Sequence, residues 1–209
     1  NQYAAEIENA LKSELIALAL RESRADAIIK SGLLSTVLLA GSSLRNVDDP
    51  GSSLRAAMNA IRPYGAVDYL LDVNGLSTVL GTVMHVNPTL VSQLMDSSTY
   101  LNLGKVIRPR IRERGLFRRK NADPILISVK NTHGESKKFA LPYGEIYRIP
   151  LNYGQNYQLE WLKIPNGVET PGIKMFLPFG FKSGCFGLIF DLRDDERAPH
   201  RRPCTLSCA

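Results

Sequence analysis

Two hydrophobic periods share this sequence, and the place where one gives way to the other limits the folds open to it. Up to about residue 112, apolar residues recur at helical spacing between brief strand-like runs. From about residue 121 they gather into short stretches rich in branched and aromatic residues, separated by turn-forming segments. The pattern predicts a helix-rich α/β part over residues 1–112, a basic linker at 113–121, a small and mainly antiparallel β module at 122–193, and a polar tail at 194–209.

Within the first part, Ile7, Leu11, Leu15 and Leu18 recur near a helical period, and helix formers continue through Ala19–Ile29 to Gly32. This predicts one amphipathic helix or two adjoining ones. An apolar strand at 36–40 runs into Gly41-Ser42-Ser43. In "VDDPGSSLRAAMNAIRPYG" a turn is followed by Ser52 or Ser53 as N-cap, with Leu54, Ala57, Met58 and Ile61 on one helix face. The strand "YLLDV", a buried helix from Gly75 to His85 and a helix opening at Pro88 complete this part. In the second part, "DPILISVKN", "KKFAL", "GEIYRIPL", "YQLEWLKI", "GIKMFLP" and "CFGLIFDLR" read as strands of a sandwich or half-open barrel. Aromatics such as Tyr157, Trp161, Phe181, Phe186 and Phe190 serve either its core or an interface.

The formal charge of +6 is concentrated in "RPRIRERGLFRRK", Arg108 to Lys120. One basic segment suits a solvated connector or the docking of an acidic protein better than a nucleic-acid surface, which would recur along the fold. Cys185, Cys204 and Cys208 lack tight metal spacing, so a reducing, cytoplasmic setting is expected. No run of 18 apolar residues occurs, and acidic residues stand where a leader would need a basic flank. Opening at Asn1 without methionine is expected of a piece of a longer polypeptide or a processed product.

Self-contained catalysis finds little support. His85, His133 and His200 fall in separate environments, and neither an H-E-x-x-H pair nor a G-x-S-x-G elbow occurs. Asp48 and Asp49 before Pro50 read as a turn; Asp191, Asp194, Asp195 and Glu196 beside Arg193 and Arg197 read as paired surface charge. The stretch "LLAGSSLRN" holds the more specific chemistry. A strand ending at Gly41 exposes backbone N–H groups to a phosphate or ribose, or simply turns a corner; Arg45 reaches an anion or an adenine, or lies on the surface. It is neither a dinucleotide fingerprint nor a P-loop. Asp72, ending the next strand, faces a ligand cleft or caps the following helix.

"VLLAGSSLRNVDDPGSSLRAAMNAIRP", "YLLDVNGLSTVLGTVMHVNPTLVSQLMDSSTYLNLGKVIRP", "GEIYRIPLNYGQ" and "GCFGLIFDLRDDERAP" together resemble the C-terminal part of the activating ATPase-like proteins associated with glutamate mutase. The resemblance spans most of residues 35–199 and implies an incomplete actin-like ATPase subdomain of the actin, sugar kinase and Hsp70-like fold. It further implies that Gly41 is one of a pair of glycines near the nucleotide, with Ser42 in the other's place, Arg45 as a basic residue after the turn, and Asp72 as a strand-ending aspartate. After "GLIFDLR" such proteins continue R-G-R-P where this chain has "RDDERAP". Their opening phosphate loop has no counterpart before residue 35. ATP with magnesium is therefore implied only where another chain or segment supplies that half of the cleft, and a cobalamin-dependent mutase is the implied partner. A non-enzymatic interaction or assembly module is the alternative.

Overall fold

Helix α1 (Gln2–Glu22) and helix α2 (Asp26–Ser31) are separated by a turn, and Gly32 in the left-handed region closes the second. The computed structural model describes residues 2–45, 48–96, 99–111, 123–171, 173 and 177–193. After α2 come β1 (Thr36–Leu39), α3 (Pro50–Ala60), β2 (Gly65–Leu71), α4 (Leu76–Val83), α5 (Pro88–Asp96), β3 (Leu101–Arg108) and β4 (Arg110–Ile111). The second stretch holds β5 (Ile125–Asn131), β6 (Ser136–Leu141), β7 (Ile146–Ile149), β8 (Asn156–Lys163), β9 (Val168–Glu169), β10 (Phe179–Lys182) and β11 (Leu188–Asp191). The expected linker at 113–121, tail at 194–209 and most of the "GIKMFLP" strand lie outside the described residues.

Strand order in the larger, five-stranded sheet is β1-β2-β3-β11-β7. Neighbours β1/β2 and β3/β11 are parallel, whereas β2/β3 and β11/β7 are antiparallel. Strands from both stretches thus share one sheet. The expected antiparallel assembly is the smaller, four-stranded sheet, β10-β8-β5-β6. Strand β3 is central yet escapes the sequence pattern, because Asn102, Gly104 and Lys105 interrupt its apolar residues. A register shift opposite Tyr69 and Leu70 accommodates the interruption, and Lys105 is buried by pairing with Asp68 at 2.7 Å.

Two apolar layers flank the larger sheet. Val67, Tyr69 and Leu71 alternate along β2 toward α3, where they meet Leu54, Ala57 and Met58. The opposite face packs on the smaller sheet through Ile107, Leu188 and Phe190 against Ile127, Leu159 and Phe181. Each fully buried Leu- or Phe-sized side chain contributes about 1.5–3 kcal/mol, so these layers hold the sheets together. Most of the described aromatics serve this core: Phe186 and Phe190 are buried and Trp161 packs edge-on against Phe190, while Tyr153 stays exposed.

Three local expectations change. Asp49, not Ser52 or Ser53, caps α3: its carboxylate accepts the Ser52 N–H at 3.1 Å, with Pro50 filling the first turn where no intrahelical N–H is needed. Helix α4 is not buried, since among its residues only Leu80 is withdrawn from solvent. In α1, Ile7, Leu11, Leu15 and Leu18 face outward, because α1 rests on α3 through the face that carries Lys12.

Candidate functional site

Parallel strands β1 and β2 end side by side. Leu39 pairs with Leu71, and the Asp72 N–H donates to the Leu39 carbonyl at 2.9 Å. At the carboxyl ends of these parallel strands the chain departs in two neighbouring loops, and that end of an α/β sheet is where ligands usually bind. Gly41 opens the first loop with φ +108°, and a Cβ there would meet nothing within 4 Å. The N–H groups of Leu44 and Arg45 donate to the Gly41 carbonyl at 3.1 and 3.0 Å, making one helical turn. Ser42 and Ser43 are exposed residues of this turn, and their N–H groups have no described acceptor. The Ser53 hydroxyl, on α3, donates to the Leu44 carbonyl at 2.5 Å and anchors the turn.

The second loop is organised by Asp72, whose buried carboxylate accepts the Leu76 N–H at 2.9 Å, the Ser77 N–H at 2.7 Å and the Ser77 hydroxyl at 2.6 Å. Burial raises this carboxyl, but the Ser77 hydroxyl and N–H, with the Leu76 and Gly75 N–H groups, outweigh it and hold the group below its ordinary value. Of the two roles open to Asp72, capping α4 engages both oxygens. Its effect on a ligand therefore passes through the turn it shapes.

Arg45 joins the loops. Its exposed guanidinium lies on Gly75, where an added Cβ would push it aside. Gly41, Ser42, Arg45 and the Asp72–Gly75 turn thus share one corner, with backbone donors of exposed residues and a cation beside open space. From the sequence Ser53 was named only as a possible N-cap and Gly75 only as the start of a helix, neither as part of this site. The signal for Gly75 is Asn74-Gly75 directly after a strand, a turn dipeptide; Ser53 carries none, because its partner is nine residues away.

Asp72→Ala is expected to lower stability by about 2 kcal/mol, at the upper end for an N-cap because two N–H groups and a hydroxyl lose their acceptor. Thermal melts check the size. Since the folded carboxyl is depressed, its contribution is complete above the ordinary value of 3.8 and is lost as pH falls from there through the folded value. The wild-type advantage over Asp72→Ala should shrink across that interval.

Titratable and basic groups elsewhere serve other purposes. Asp191 is buried, not part of a surface pair: Arg193 grips it with Nε at 2.8 Å and Nη2 at 2.9 Å, and Arg62 Nε stands 3.9 Å away. This cluster lies at the other end of the larger sheet, where Arg108 at the close of β3 pairs with Gly65 at the start of β2. From the basic segment, Arg108 and Arg110 stand over the Tyr64 ring at 5.0 and 4.8 Å and donate to the carbonyls of Arg62 and Lys30. Those two arginines therefore pin the fold. His85 and His133 are exposed and apart, His200, Cys204 and Cys208 lie outside the described residues, and among the described residues no cluster of His, Cys, Asp and Glu is placed to hold a metal ion. Nor, among them, is any helix long and apolar enough to cross a membrane. No protein-family model, curated protein or solved structure matches this chain.

Proposed function

We propose that this chain forms one wall of a nucleotide cleft, as the C-terminal portion of a cytoplasmic, ATP-binding, actin-like reactivating or chaperone-type protein that serves a cobalamin-dependent mutase. The observation that carries the reading is the meeting of the Gly41–Arg45 and Asp72–Gly75 turns at the ends of parallel β1 and β2, with Arg45 lying on Gly75. The mutase rests on the sequence resemblance.

In this mechanism the residues of the chain bind and orient. The N–H groups of exposed Ser42 and Ser43 receive anionic or polar oxygens, open space over Gly41 admits the ligand, and the planar Arg45 guanidinium stacks on a base or meets a phosphate. Asp72 acts as a positioning residue that fixes the turn under Arg45. ATP with magnesium supplies a cleavable phosphoanhydride; the metal ligands and phosphate loop belong to the complementary half, because hydrolysis requires donors held from both sides. Val79 and Met84, exposed along and just after α4, suit a surface which that half covers. Nucleotide binding then biases closure and loosens a mutase carrying damaged cofactor.

Arg45→Ala should weaken binding of a fluorescent ATP analogue roughly tenfold, measured on this chain joined to the phosphate-loop half, while leaving the melting temperature unchanged. Equal binding by wild type and Arg45→Ala would remove Arg45 from the site. Failure of the joined halves to bind the analogue at all sinks the reading. A non-enzymatic assembly module is the second reading, favoured by the apolar side chains that α1 leaves in solvent. It predicts partner binding that is indifferent to nucleotide.

A further inference from the structure

Helix α1 leaves a line of large apolar side chains in solvent. Tyr3, Ile7, Leu11, Leu15 and Leu18 are 80, 68, 59, 55 and 49 % exposed. Their spacing of four, four, four and three residues places them in one stripe, roughly 22 Å long at about 1.5 Å per residue. The inward face carries half-buried Ile16 and Leu20 together with Lys12, which is 9 % exposed, and Asn9, whose buried Oδ1 has no hydrogen-bond partner. Holding five large apolar side chains in water along one line marks an interaction surface.

The borders of the stripe identify the kind of partner. Helical geometry sets Glu8 and Glu22 along one side and Glu14 along the other. Of the basic residues in α1, Lys12 is withdrawn beneath the helix and bonded to Glu8 at 2.6 Å, so Arg21, 3.8 Å from Glu14, is the cation left at the surface. A second copy of α1 would bring acidic borders against acidic borders. A helix whose apolar seam is bordered by lysine or arginine meets both the stripe and its edges favourably.

We propose that the outer face of α1 is a docking strip for an amphipathic helix with basic borders, contributed by a different polypeptide. This interface is separate from the nucleotide corner and stands whether or not nucleotide binds. Its recognition is of the helix-to-helix kind, with Leu11 and Leu15 at the centre of the seam and the glutamates selecting the partner's charge.

The test uses the whole chain and two labelled synthetic helical peptides as long as α1, 21 residues, sharing one leucine seam but bordered by lysines or by glutamates. Fluorescence anisotropy should show the lysine-bordered peptide binding at least about tenfold more tightly, with the preference narrowing as salt rises. Leu11→Ser with Leu15→Ser should abolish binding of both peptides. Should that variant unfold by circular dichroism, Glu14→Lys with Glu22→Lys tests the same idea at exposed positions that leave the Lys12–Glu8 pair intact, and should reverse the peptide preference. Equal binding of the two peptides, binding of neither, or no reversal by the lysine variant overturns the proposal. So does a concentration-dependent dimer in sedimentation that is lost with Leu11→Ser and Leu15→Ser, because a second copy would then occupy the stripe.

Discussion

Asp191→Ala should lower the stability of this protein by about 3–5 kcal/mol, the range for removing one partner of a buried ion pair. The carboxylate is 2 % exposed and accepts the Arg193 N–H and both sides of its guanidinium, while Arg193 Nη1 reaches Asn59 Oδ1 at 2.6 Å and Nη2 reaches the Met58 carbonyl at 3.2 Å. Asp191 therefore ties the end of β11 to the end of α3. Without it, the guanidinium keeps its charge and loses its counter-ion. Asp191→Asn, which preserves shape and part of the hydrogen bonding, should fall between wild type and alanine in urea titrations. A loss under about 1 kcal/mol for alanine would mean that the cluster relaxes into solvent.

The same residue should leave a mark on pH dependence. Burial raises the Asp191 carboxyl, but hydrogen bonds from Arg193 and the charges of Arg193, Arg108 and Arg62 overcome it and hold the group below its ordinary value of 3.8. A folded value below the unfolded one means that the unfolded chain binds the proton more readily. The stabilisation is then complete above about pH 4 and disappears as pH falls through the folded value. Wild type should lose stability over that interval, and Asp191→Ala should lose correspondingly less.

Gly187→Ala should cost about 3 kcal/mol, combining the strain of a left-handed residue with overpacking against backbone. Gly187 has φ +72°, and an added Cβ would press on the Ile149 carbonyl and stand 2.9 Å from the Leu151 nitrogen. Those backbone atoms belong to the end of β7 and the residues after it, so they yield only by prying β7 from β11. Gly134 is the control: its φ is +85°, but a Cβ there would meet nothing within 4 Å, so Gly134→Ala should cost only the strain, about 1 kcal/mol. Equal losses at the two positions, measured by denaturant unfolding, would show that packing at β7 contributes nothing.

Legibility of the fold followed how locally each feature is encoded. Helices α3 and α5, strand β1, the end of β2 from Tyr69, and most of the later strands rest on short-range apolar periods and on proline and glycine punctuation, so they were readable. Strand β3 was not, because Gly104 and Lys105 are tolerable in a central strand only through a register shift and a pairing with Asp68, 37 residues away. The cap of α3 was legible as a group of turn residues but not as Asp49, since Pro50 decides where the helix begins.

The candidate site divides the same way. Gly41, Ser42 and Arg45 could be named because a strand running into a glycine turn is a local signal. That Arg45 rests on Gly75, and that Asp72 serves the turn between them, depends on β1 and β2 lying parallel and in register. Likewise, the spacing of Ile7, Leu11, Leu15 and Leu18 determined an amphipathic helix, but only the packing of α1 on α3 decided that its apolar stripe faces water. Short-range periodicity and turn chemistry act through neighbours in the chain and are written in the sequence. Strand order, the burial of charges and the outward face of a helix arise from contacts between distant segments, and those exist only once the chain has folded.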